Sequence, residues 1–208
     1  MQMKTTFFDT PILRTLLRWT SLFLLKISGW KRSGELPSEN KYIIIAAPHT
    51  TNWDMPLTLM LAFAFKVKIY WLGKKSLFKF PFSTIMQWMG GIPVDRSKNN
   101  NMVEAAIELF KKTEKLILAV PPEGTRQRVR YWKTGFYHMA FGANVPIATG
   151  FLDYRTKTGG FGPLIIPTGD LESDMILIQK FYSTITGKYP DQHNQADIDD
   201  RNKMKKPS

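Results

Sequence analysis

His49 and Asp54, in the run Pro48-His49-Thr50-Thr51-Asn52-Trp53-Asp54, are the side chains whose types and spacing suit proton transfer. An imidazole oriented by a carboxylate can take a proton from an alcohol near neutral pH. In a regular helix, residues five apart diverge by about 140°, so the two would not meet there. Across a strand-to-helix turn they can. With Thr51 as the helix N-cap, Asp54 falls at the third helical position and points back towards the loop that holds His49. The same residues would also serve as a plain capping box beside a structural histidine, and this segment alone leaves both readings open.

Two further segments offer groups for an anion. In Val120-Pro121-Pro122-Glu123-Gly124-Thr125-Arg126, glycine lets the backbone approach a ligand closely and Arg126 supplies a forked donor for phosphate. In Gly90-Gly91-Ile92-Pro93-Val94-Asp95-Arg96, a short strand delivers Arg96 to the same sheet edge. The plainer alternatives are a solvated surface turn and a weak surface ion pair. Other chemistries fall away. With no cysteine there is no thiolate nucleophile or thiolate metal ligand. There is no G-x-S-x-G elbow. Gly73-Lys74-Lys75-Ser76 is not a phosphate loop, because Lys68 and Lys75 occupy positions that need glycine and Ser or Thr. His49, His138 and His193 lack ligand spacing, so no metal is expected.

The three segments, in their chain order at three strand ends, resemble the 1-acylglycerol-3-phosphate acyltransferase family, the lysophosphatidate acyltransferase-like enzymes. His49 with Asp54 matches H-x-x-x-x-D, residues 92–96 the second motif, Pro122-Glu123-Gly124-Thr125-Arg126 the P-E-G-T-R motif, and Val145-Pro146-Ile147 the fourth. The resemblance covers roughly residues 42–150 and implies a direct transfer. His49, held by Asp54, would deprotonate an acceptor hydroxyl, which attacks an acyl thioester without a covalent acyl-enzyme. It carries substrate and phosphate binding onto Arg96, Glu123, Gly124, Thr125 and Arg126, and acyl binding onto Val145, Pro146 and Ile147. A carboxylate beside phosphate is electrostatically unfavourable, so Glu123 is expected to position Arg96, Arg126 or an acceptor hydroxyl. No cofactor is implied, acyl-coenzyme A or acyl carrier protein being the donor substrate and a lysolipid the acceptor. Pro48 stands where many members have Asn, and Thr149 where the fourth motif often ends in Pro. Family members also acylate other lysophospholipids and non-glycerol lipids, and a catalytically silent lipid-binding relative is the alternative to an enzyme.

The elements that must position these residues alternate. Strand-like runs at 42–47, 67–72, 92–94, 116–120, 146–152 and 164–166 are separated by helical patterns at 55–65, 77–89, from Asn100 or Asn101, and at 135–141. Asp170 reads as the cap of a last helix through Met175, Ile178 and Phe181. This predicts one α/β domain with a largely parallel buried sheet flanked by helices, whose site lies beyond the strand C-terminal ends. At 208 residues, with 43% hydrophobic residues, the chain can bury one core.

A formal charge of +12 calls for anionic partners. Nucleic acid is not among those expected, since no helix-turn-helix, zinc or RNA-recognition pattern is present. Residues 7–30 carry apolar positions at helical spacing, interrupted by Arg14, Arg18 and Lys26. Each such charge would cost about 2.5 to 3.5 kcal/mol at a bilayer centre, so the segment suits an interfacial amphipathic helix on an anionic membrane surface better than a spanning one. The expected organisation is an amphipathic membrane-associating helix at 1–32, an acyltransferase domain at 33–190 and a mobile, polar, charged tail at 191–208. The chain is expected to be a peripheral or monotopic membrane protein on the cytoplasmic face.

Overall fold

The run KYIIIAA forms β2 (Lys41–Ala47), and its alternation divides the molecule into layers. Ile43, Ile45 and Ala47 point to one face of the sheet, and Tyr42 and Ile44 to the other. Both faces are covered, which is why the strand is apolar throughout. The computed structural model describes residues 5–94, 99–192 and 196–199. Asp95, Arg96 and His193 lie outside the described residues.

The chain begins with a 3-10 turn (Phe7–Asp9) and α1 (Pro11–Ile27), followed by β1 (Lys31–Ser33), β2 and α2 (Asp54–Phe65). Next come β3 (Tyr70–Lys74), α3 (Ser83–Trp88), β4 (Gly91–Val94), α4 (Asn99–Lys112) and β5 (Leu116–Val120). The last elements are α5 (Gly135–Ala143), β6 (Ile147–Asp153), β7 (Thr158–Ile165) and α6 (Leu171–Tyr182). The seven strands lie in the order β1-β7-β6-β2-β5-β3-β4, parallel except at the β6–β7 hairpin. This is the single α/β domain expected. β2 sits between β5 and β6, so the loops after these three strands emerge side by side at one edge. Crevices outside the C-terminal ends of such strands are where open α/β sheets bind ligands.

On one face, Ala106 and Phe110 of α4, Phe136 and Met139 of α5, and Met175 and Ile178 of α6 pack on the odd-numbered β2 residues. On the other, Phe7, Phe8 and α2 residues Ala62 and Phe63 pack on the even ones. α1 lies on α2, burying Leu25 against Leu57, Leu61 and Ala64. It leaves Ile12, Leu16, Trp19, Phe23 and Ile27 exposed. Among the described residues, no helix is long and apolar enough to cross a membrane.

Four features differ from the sequence expectation. The helical pattern at 77–89 is broken into a 3-10 turn (Lys75–Phe78) and α3, because Pro81 has no N–H to continue a helix. β1 was not expected, Lys31 and Arg32 falling in the N-terminal helical segment expected at 1–32; its three polar, exposed residues carry no apolar strand pattern, and its pairing with β7 ties the boundary at 32/33 into the sheet. There Gly34 passes so close to β7 that a Cβ would lie 1.7 Å from the Phe161 carbonyl oxygen. β7 is longer than the expected 164–166 because it completes a hairpin with β6. The expected polar tail is partly core: Ala196 and Ile198 are only 2% and 5% exposed, and the backbone N–H of Trp132 donates to Asp197 O at 2.8 Å.

Candidate active site

β2 ends in the core at Ala47, and the chain turns through Pro48 and His49 before α2 opens on Asp54. Thr51 does not cap the helix as expected, since Asp54 is itself the first helical residue. Its carboxylate nevertheless points back into the loop, where Oδ2 accepts the Thr50 and Thr51 N–H groups at 2.9 Å each. The helix N-terminus supports that negative charge. The same oxygen lies 3.0 Å from His49 Nδ1. The spacing read from the sequence therefore brings the two side chains together.

Their exposure differs in the way a proton relay needs. The His49 side chain is 26% exposed and that of Asp54 6%. A carboxylate facing Nδ1 places the proton on that nitrogen and leaves the Nε2 lone pair as the base. The ring is thus oriented from behind and open in front.

Glu123 follows β5, the neighbour of β2, and is 2% exposed. Its Oε2 accepts the backbone N–H of His49 at 2.9 Å, while Oε1 is buried and unpaired. Burial, opposed in part by the His49 N–H bond and aided by the nearby Asp54 charge, pushes the carboxyl up to about 8. Glu123 makes no hydrogen bond to Arg126, one of the three partners expected for it; the bond it does make fixes the histidine backbone. Arg126 is exposed and donates instead to Asn52 Oδ1, in the loop after His49. Gly124 adopts φ 68°, a conformation that favours glycine, and lies against Lys133, whose Nζ would be 2.9 Å from an added Cβ. Thr125 Oγ1 accepts Gln127 N–H at 3.3 Å.

Val145, Pro146 and Ile147 are not brought to His49. Ile147 pairs with Ile43 at the start of β2, so the segment lies at the opposite sheet edge, roughly 20 Å along the strand from His49. Val145 and Ile147 are core residues. Parallel pairing is the reason: β6 delivers its C-terminal end, not its beginning, to the site.

That end supplies Tyr154, which had not been expected. Its hydroxyl donates to Asp54 Oδ1 at 2.6 Å. The segment after α6 also crosses the loop. Tyr189 N–H donates to Thr50 Oγ1 at 3.4 Å, and Lys188 Nζ lies 5.7 Å from the Trp53 ring centroid. With its side-chain amide turned over, Gln192 would donate to Thr50 O at 3.2 Å and Arg126 O at 3.0 Å. No spacing rule ties such distant residues to His49. Among the described residues, no group of three or more His, Asp or Glu could hold a metal ion.

Residues 30–151 match the protein family described as Acyltransferase. The 1-acyl-sn-glycerol-3-phosphate acyltransferase of Haemophilus influenzae is 32% identical over 133 residues, 60% of this chain and 54% of that protein. The protein of the same name from Salmonella typhimurium is 35% identical over 137 residues, 62% of this chain and 54% of its own length. The chain thus spans about half the length of the curated relatives it matches. The crystal structure of the 1-acyl-sn-glycerophosphate (LPA) acyltransferase PlsC from Thermotoga maritima superposes with a TM-score of 0.56, covering 82% of this chain and 79% of that one. At 14% identity, that likeness is one of fold.

Proposed function

The chain belongs to the acyltransferase family, and we propose that it moves a fatty acyl group from an acyl thioester to a hydroxyl of a lysophosphatidate-like lipid, with His49 as general base. The observation that carries this reading is the 3.0 Å contact between His49 Nδ1 and the buried Asp54 carboxylate at the end of β2. The names of the relatives supply the substrate class.

His49 Nε2 takes the proton of the acceptor hydroxyl as its oxygen attacks the thioester carbonyl carbon. Asp54 stabilises the imidazolium that forms. Collapse of the tetrahedral intermediate breaks the carbon–sulfur bond, and the imidazolium returns the proton to the departing thiolate. Atoms balance as ester plus thiol, and the cycle ends with neutral His49. Acyl-coenzyme A or acyl carrier protein is the proposed donor. Arg126 stands beside the loop as the proposed phosphate ligand, its guanidinium reaching Asn52.

The acceptor would be met at a membrane surface on the cytoplasmic face. The exposed apolar side chains of α1 point away from the domain, and Leu77, Phe80, Phe82 and Ile85 form a second exposed group in which Phe80 is 96% exposed. Phe7 and Trp88, with ring centroids 5.5 Å apart, join the 3-10 turn before α1 to α3. Exposed Arg14, Lys26, Lys74, Lys75 and Lys79 flank these groups and suit anionic headgroups.

Thiol release from palmitoyl-coenzyme A tests the reading. Release that depends on added lysophosphatidate, with formation of the diacyl product, supports transfer. Lysolipid binding with no release from coenzyme A or carrier-protein donors would identify a binding protein instead.

A further inference from the structure

The two oxygens of Asp54 are used unequally. Oδ2 receives His49 Nδ1 and the Thr50 and Thr51 N–H groups, whereas Oδ1 receives the Tyr154 hydroxyl at 2.6 Å. Three donors on one oxygen leave the carboxylate free to pivot about that oxygen. A fourth donor on the other oxygen fixes its plane.

Tyr154 is itself held. Its N–H donates to Thr186 O at 2.9 Å, and its ring meets Trp30 edge-on with centroids 5.0 Å apart. The preceding residue anchors the turn: Asp153 accepts Arg155 N–H at 3.2 Å, the Thr156 hydroxyl at 2.6 Å and Thr186 N–H at 3.1 Å. Tyr154 lies beyond the family-matched residues 30–151.

We propose that Tyr154 is a positioning residue for the His49–Asp54 pair, its hydroxyl locking the Asp54 carboxylate so that Oδ2 stays in line with Nδ1. This rests on the reading of His49 as the base. Tyr154 acts through Asp54 and touches no substrate, so its loss lowers turnover rather than affinity.

The test compares full-length wild type, Tyr154→Phe, Asp54→Asn and the double variant, with palmitoyl-coenzyme A and 1-palmitoyl lysophosphatidate in mixed micelles. Phenylalanine keeps the ring and its packing on Trp30. Tyr154→Phe should lower kcat about tenfold or more, the scale of a hydrogen bond to a charged group, with both KM values within about twofold. In the Asp54→Asn background the same change should cost less than about twofold, because the acceptor it served no longer carries the charge. Wild-type kcat in Tyr154→Phe, or an undiminished penalty in the Asp54→Asn background, would overturn the proposal. Wild-type turnover by Asp54→Asn would remove the proton-relay reading itself, a distinct failure. A measurement without substrate uses ¹⁵N-labelled imidazoles, with the His49 signals assigned by their loss in His49→Gln. The wild-type ring should hold the Nδ1–H tautomer and Tyr154→Phe should show a mixture. Identical tautomer ratios would contradict the locking role.

Discussion

The backbone N–H of His49 donates to Glu123 Oε2 at 2.9 Å, joining the loop after β2 to the loop after β5 across 74 residues of sequence. The bond explains why a carboxyl group lies inside a site proposed to bind phosphate. It faces the protein backbone, where it fixes the histidine, and burial keeps it largely protonated at neutral pH.

Glu123 therefore makes stability depend on pH in a predictable direction. Its carboxyl titrates at about 8 in the folded chain against 4.5 ordinarily, so the folded state holds the extra proton. The associated stability is fully present below about pH 4.5 and is lost as pH rises through about 8, at up to about 1.4 kcal/mol per pH unit. Glu123→Gln keeps an oxygen for the His49 N–H and cannot ionise. In urea unfolding at pH 5 and pH 8, wild type should lose more stability than the variant. A difference between the two proteins that stays constant with pH would contradict the assignment.

Arg126 should act on the acceptor. Losing a forked, charged contact to phosphate should cost roughly ten- to a hundredfold in kcat/KM for lysophosphatidate, and Arg126→Lys should fall between Arg126→Ala and wild type. A matched lysolipid without phosphate should be poor with wild type and scarcely worse with Arg126→Ala. Equal penalties on both acceptors would assign Arg126 to the donor or to the structure through Asn52.

On the outer face of α1, Trp19 and Phe23 contribute nothing to the core, so their replacement separates membrane contact from folding. The double change to Ala should weaken sedimentation with phosphatidylglycerol vesicles by about tenfold or more, since each ring buries area worth about 1.5 to 3 kcal/mol when fully removed from water. The unfolding midpoint should scarcely move. Wild-type binding should be tighter on anionic than on neutral vesicles and weaken with salt. Unchanged sedimentation of the variant would place the contact elsewhere, with Phe80 and Phe82 the next residues to change.

What the sequence made legible follows the range of the forces involved. The apolar runs of β2 and β5 and the turn that joins His49 to Asp54 are local patterns, and each was readable from spacing. The partners of Glu123 and Asp54 depend on which strands lie side by side. His49 meets Glu123 because β5 borders β2, and Asp54 meets Tyr154 because β6 borders it on the other side. Strand direction decided the fate of Val145 to Ile147: the apolar residues were correctly seen, but parallel pairing carries them to the far edge. The 77–89 segment had helical periodicity that Pro81 overrode. Ala196 and Ile198 join the core beside Trp132 and Gln179, through contacts that a polar tail composition does not announce.

The central claim is that His49 is the general base, and the most direct measurement is kcat of purified His49→Ala against wild type with palmitoyl-coenzyme A and lysophosphatidate. Removing a general base should lower kcat by about 10² to 10⁴ while the unfolding midpoint stays close to that of wild type. Turnover by a folded His49→Ala within a few-fold of wild type would contradict the account.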